Sequence, residues 1–185
     1  MITRRDIPNL LTILRLLLVA PIVVLMVKER YAGALVLFAV AGVSDGLDGY
    51  LAKRNGWITR LGSFLDPLAD KALLVCSYLA LGWNGLLPIW LVALVLSRDL
   101  VILAGATAFH FLIGRFDAEP TLLSKTNTFA QIVLVLFVVI DQLVEWATQS
   151  VVDSLIYVVA ATTIASGIGY VVDWGRRAHR KQTHR

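Results

Sequence analysis

Four aspartates stand in two of the most hydrophobic segments of this chain, Asp45 and Asp48 in AGVSDGLDGYLA and Asp66 and Asp70 in GSFLDPLADK. On a helix turning about 100° per residue, Asp45, Asp48, Gly49 and Ala52 share one stripe, and so do Gly62, Asp66 and Asp70. A short polar turn joins the two segments, so the two carboxylate faces are expected to meet at one depth. An unpaired carboxylate inside a bilayer costs at least about 2.5–3.5 kcal/mol, so a cation must accompany the group. Lys53 and Lys71 offer part of that charge. Hard oxygen ligands at i,i+3 and i,i+4 spacing suit one or two divalent ions better, Mg²⁺, Mn²⁺ or Ca²⁺, and no His or Cys stands nearby for zinc. Gly46, Gly49 and Gly62 remove side chains beside the carboxylates, where a bulky ligand can approach backbone. Pro67, next to Asp66, removes one helical hydrogen bond and is expected to bend its helix.

The elements that carry these residues follow from hydropathy. The chain has 185 residues, 58% of them hydrophobic, with a mean hydropathy of +0.75. A spanning helix needs about 20 apolar residues, and six segments qualify: 9–27, 32–52, 62–83, 87–113, 122–142 and 152–174. They are continuous and rich in Leu, Val and Ala, which excludes the alternating strands of a membrane barrel. An all-α integral membrane protein is expected, with six transmembrane helices in one bundle and a single membrane-embedded domain over residues 1–185. The first apolar run lacks a small-residue cleavage site and is read as a retained span, although Arg15 interrupts it.

Charge placement orients the bundle. Arg4, Arg5, Lys53, Arg54, Arg60, Arg115, Lys125, Arg176, Arg177, Arg180, Lys181 and Arg185 fall on one side, expected to be cytoplasmic together with both termini. The other side carries Lys28 and Arg30 with Glu29, Asp141, Glu145 and Asp153. The sequence pI of about 9.5 therefore reflects topology and anionic lipid, not nucleic acid. Cys76 has no partner for a disulfide and reads as a packing residue. Two other readings of the aspartates compete. A structural ion-pair cluster needs no glycine stripe, and a cation channel needs acids through the whole depth, whereas the fifth and sixth spans carry acids only toward their ends.

The run Asp45-x2-Asp48-Gly49-x2-Ala52-Lys53-x8-Gly62-x3-Asp66-x3-Asp70 resembles the signature of the CDP-alcohol phosphatidyltransferases, membrane enzymes of phospholipid synthesis. Its length and fixed gaps make the pattern specific. One position departs, Lys53 for the usual Arg, followed by Arg54; lysine offers a point charge where arginine offers a fork. The resemblance implies a six-helix homodimer that binds two divalent ions and a CDP-linked lipid donor in a cavity open to the cytoplasm. It implies Asp45, Asp48 and Asp66 as the main metal ligands, with Asp70 near the second ion. Asp48, Gly49, Ala52, Lys53, Gly62 and Asp66 would line the CDP site, and Asp70 would take the proton of the acceptor hydroxyl. Ser44, Ser63 and Cys76 lack an activating His, so direct displacement is expected.

For the acceptor, Arg15, Arg54, Arg98, Arg115 and Lys125 are the cations available to a phosphate. Arg98 has a plain alternative, pairing with Asp99 within Ser97-Arg98-Asp99, and Arg15 can snorkel or pair with a cavity carboxylate. Asn9-Leu10-Leu11-Thr12-x2-Arg15, Ser97-Arg98-Asp99 and Pro120-Thr121-x2-Ser124-Lys125-x-Asn127-Thr128-x2-Gln131 look like the CMP-forming cardiolipin synthases. Phosphatidylglycerolphosphate synthases share the aspartates and a related pattern in the fifth span. The expected reaction is transfer of a phosphatidyl group from CDP-diacylglycerol to phosphatidylglycerol, with glycerol-3-phosphate as the alternative acceptor. No Arg/Ser-rich presequence is seen, which points to a bacterial plasma membrane.

Overall fold

The computed structural model describes residues 7–55, 60–113, 122–144 and 149–183. Six helices account for them, α1 (Ile7–Val27), α2 (Tyr31–Asn55), α3 (Arg60–Trp83), α4 (Ile89–Ile113), α5 (Leu122–Val144) and α6 (Gln149–Thr183), with no strand among the described residues. Each expected span corresponds to one helix, the fourth beginning two residues ahead of α4. By length and hydropathy, α1, α5 and most of α6 suffice to cross a membrane, and α2 carries a shorter apolar run, Tyr31–Leu47. The acids and Lys71 dilute α3 at its start. Most ends fall within three residues of the expected ones, α2 continuing to Asn55, but α6 runs nine residues past 174 through WGRRAHRKQT. Hydropathy marks where lipid ends, whereas Arg, Lys, Gln and Ala favour helix equally well in water. α3 passes through Pro67 as one helix.

Contacts group the helices into two compact units. One holds α1, α2, α3 and the end of α5; the other holds α4, most of α5, and α6.

In the first unit α1 packs on both α2 and α3. Its buried stripe is Thr12, Arg15, Val19, Ile22 and Met26, spaced alternately three and four apart as one helix face requires. Ala34 and Ala41 of α2 and Ala69 of α3 are fully buried, and such small residues let helices approach closely. The α1–α2 turn closes through Arg30 N–H to Leu25 O (2.8 Å) and Glu29 N–H to Met26 O (2.9 Å), with Glu29 at φ 58°. After α3, Leu86 N–H bonds Leu81 O (2.9 Å) around Gly85 at φ 75°. Both are Schellman-type ends. Asn84 Nδ2 then donates to Met26 O (2.7 Å) and Tyr31 Oη (3.0 Å), tying the end of α3 to the α1–α2 turn.

In the second unit α4 packs on α6. Leu91, Val92 and Val95 of α4, Leu134 and Val135 of α5, and Ile156 and Val159 of α6 are buried there. Large apolar side chains such as Leu17, Val36, Leu103, Phe129 and Ile168 point outward, as lipid permits.

Candidate active site

The polar centre of the first unit is built on α1. Thr12 and Arg15 lie one turn apart on its buried stripe, each 1% exposed. They face α2 and α3, and the acids of those helices come to them. Thr12 Oγ1 donates to Asp66 Oδ1 at 2.5 Å. Arg15 Nη1 lies 2.7 Å from Asp45 Oδ1 and 2.5 Å from Asp70 Oδ1. One guanidinium nitrogen therefore bridges carboxylates from two helices, and Asp70 stands in the electrostatic field of Asp45 and Asp66 as well. Arg15 is interior, while the Asp45 and Asp70 side chains keep 49% and 50% of their surface open. Arg15 reaches the cluster from the packed face of α1, and the two carboxylates remain accessible. Ser44, beside Asp45, bonds its own helix at Val40 O (2.7 Å) and takes no part in the cluster.

Asp48, Gly49, Ala52, Lys53 and Gly62 lie on α2 and α3, but their side chains are outside the described residues, as is Arg115. A Cβ at Gly46 would meet nothing within 4 Å, so the face beside Asp45 is open. Arg54 is exposed near the end of α2, and Lys125 is exposed on the first turn of α5. Among the described residues no three acids, histidines or cysteines form a ready metal-binding set. Asp45, Asp66 and Asp70 nonetheless supply hard oxygens converging on one face of α1, two of them half open, which is the donor chemistry that Mg²⁺ or Mn²⁺ takes.

Arg98 belongs to the second unit and is 5% exposed. Its Nη1 donates to Asp99 Oδ1 (2.8 Å), and its Nη2 donates to Ser124 Oγ (2.8 Å) and Ser166 Oγ (2.5 Å). The guanidinium carbon stands 5.8 Å from the Tyr170 ring centroid. The pairing with Asp99 is thus one of several contacts, and Arg98 links α4, α5 and α6. Nearby, fully buried Asn127 accepts from Thr162 (3.0 Å) and Thr163 (2.9 Å) through Oδ1.

Sequence reasoning from the residues themselves missed Thr12 as a partner of the acids, and Ser166 and Tyr170 as partners of Arg98. The three–four spacing of Thr12, Arg15, Val19, Ile22 and Met26 is the signal that places Thr12 beside Arg15 on the packed face.

Residues 5–171 match the family model for CDP-alcohol phosphatidyltransferase. The chain is 33% identical to a CMP-forming cardiolipin synthase of Rattus norvegicus, over 92% of this chain and 62% of that one. It is 36% identical to the chloroplastic CDP-diacylglycerol–glycerol-3-phosphate 3-phosphatidyltransferase 1 of Oryza sativa, over 91% of this chain and 57% of that one. With the CDP-diacylglycerol–glycerol-3-phosphate 3-phosphatidyltransferase of Bacillus subtilis it shares 29% identity, over 89% of this chain and 93% of the relative. The chain thus spans less than two thirds of the two eukaryotic relatives and nearly all of the bacterial one.

Proposed function

Because the chain belongs to the CDP-alcohol phosphatidyltransferase family, we propose that it transfers a phosphatidyl group from CDP-diacylglycerol to the hydroxyl of a glycerol-type acceptor, releasing CMP. The proposed acceptor is phosphatidylglycerol, and the product cardiolipin. One observation carries the reading: Asp45 and Asp70, from different helices, meet at a single nitrogen of Arg15, with Asp66 held one turn away by Thr12.

Asp45, Asp48 and Asp66 would hold two divalent ions, Mg²⁺ or Mn²⁺, with Asp70 beside the second. When bound, such ions neutralise the diphosphate and the charge that develops on departing CMP. Asp48, Gly49, Ala52, Lys53, Gly62 and Asp66 line the nucleotide side. Asp70 takes the proton of the acceptor hydroxyl as its oxygen bonds the phosphatidyl phosphorus and the bond to CMP breaks. Arg54, Arg98, Arg115 and Lys125 remain the cations proposed for the acceptor or donor phosphates. Arg15, also expected at a phosphate, is engaged by carboxylates in the structure. The protein is proposed to act as a homodimer in a bacterial inner membrane, with the site and both termini toward the cytoplasm.

A second reading, with glycerol-3-phosphate as acceptor, is favoured by the Bacillus subtilis relative, which this chain covers almost end to end. A turnover assay separates the two. Purified protein receives CDP-diacylglycerol, Mg²⁺ or Mn²⁺, and either phosphatidylglycerol or glycerol-3-phosphate, and CMP and lipid product are measured. Cardiolipin formed from phosphatidylglycerol supports the first reading; product from glycerol-3-phosphate alone moves the assignment to the second. Asp70→Asn is expected to lower turnover by about 10²-fold or more with either acceptor, the scale of a lost general base.

A further inference from the structure

The arrangement around Arg15 has the form of a metal bridge. A divalent ion shared by two carboxylates stands about 2.0–2.6 Å from each oxygen. Arg15 Nη1 stands 2.7 Å and 2.5 Å from Asp45 and Asp70, through one oxygen of each. The guanidinium is shut inside the helix packing at 1% exposure, whereas both carboxylates are half open. Incoming ions and Arg15 must therefore draw on the same two acids from opposite sides. Without Arg15 the acids of α2 and α3 would repel one another. With it, they are held together before any ion arrives, and Thr12 fixes Asp66 without adding charge.

We propose that Arg15 is a positioning residue that stands in for a divalent cation: it gathers Asp45 and Asp70 in the metal-free protein and yields their oxygens as ions bind. This rests on the reading that these carboxylates hold the ions. It makes a prediction opposite to that of an ordinary supporting contact, whose loss would weaken metal binding. Removing Arg15 destabilises the metal-free state more than the loaded one, so metal affinity must rise.

The test uses the full chain in detergent, without lipid substrate, titrated with Mn²⁺. Free Mn²⁺ is read by electron paramagnetic resonance, and stability by thermal unfolding at each concentration. Arg15→Gln is expected to bind Mn²⁺ about three- to tenfold more tightly than wild type, the range for a charged hydrogen bond discounted for half-open partners. Its Tm should be lower without metal, and the gap should narrow at saturating Mn²⁺. Arg15→Lys keeps a charge but not the planar fork and should fall between the two. Equal or weaker binding by Arg15→Gln overturns the proposal while leaving the metal reading intact. Should that variant fail to fold, Arg15→Lys decides in the same way. If wild type binds no Mn²⁺, or binds it equally with Asp45→Asn, the metal reading fails and the proposal falls with it.

Discussion

A glycine, a threonine and an arginine decide how the acids are presented. At Gly46 an added methyl would meet no atom within 4 Å. Gly46→Ala should therefore leave the fold intact and stabilise α2 by up to about 1 kcal/mol through helix propensity. A raised KM for CDP-diacylglycerol at unchanged Tm would then report a ligand lying against that face; an unchanged KM would place the donor elsewhere. That Asp45, Asp66 and Asp70 come together was legible in the sequence because charge inside apolar runs at helical spacing has few explanations. Thr12 was not. A hydroxyl in an apolar helix commonly bonds its own backbone, as Ser44, Ser77, Thr107 and Thr126 do here. Its bond to Asp66, 54 residues away, leaves no local mark. Arg98 was half legible: its neighbour Asp99 was visible, but Ser166, 68 residues on, was not.

At the level of elements, the helix ends govern how α1, α2 and α3 meet. Glu29 adopts the left-handed conformation that closes α1, a position where glycine costs least. Glu29→Gly should raise stability by up to about 1 kcal/mol, seen as a higher Tm in detergent. A fall would show that the glutamate side chain makes a contact worth more than the backbone strain. Gly85 fills the same role after α3 with the residue the geometry prefers. The glycines around residue 85 announced that turn in the sequence. The charged run Lys28 to Arg30 announced a turn there too, but not its geometry, because it uses a non-glycine residue in a glycine conformation. Hydropathy placed every helix and the apolar part of α6, but not the helix end, since polar helix formers carry it further.

For the whole molecule, six helices carry a topological consequence. If each crosses the bilayer, both termini lie on one side, which the proposal, from the distribution of basic residues, makes the cytoplasmic one. Among the described residues, three helices are long and apolar enough to cross on their own merits. Reporter domains fused to either end of the full chain are expected to read out on the cytoplasmic side. Opposite sides would mean that one of the less apolar helices does not cross. The bridge at Arg15 bears on how those helices enter. Synthesis runs from α1 onward, and Asp70 follows Arg15 by 55 residues, an interval of about 3–11 seconds at 5–20 residues per second. The guanidinium is in place before either acid emerges, so α2 and then α3 can insert against a waiting counter-charge. The order of elements along the chain thus has the arginine made before the two acids it holds.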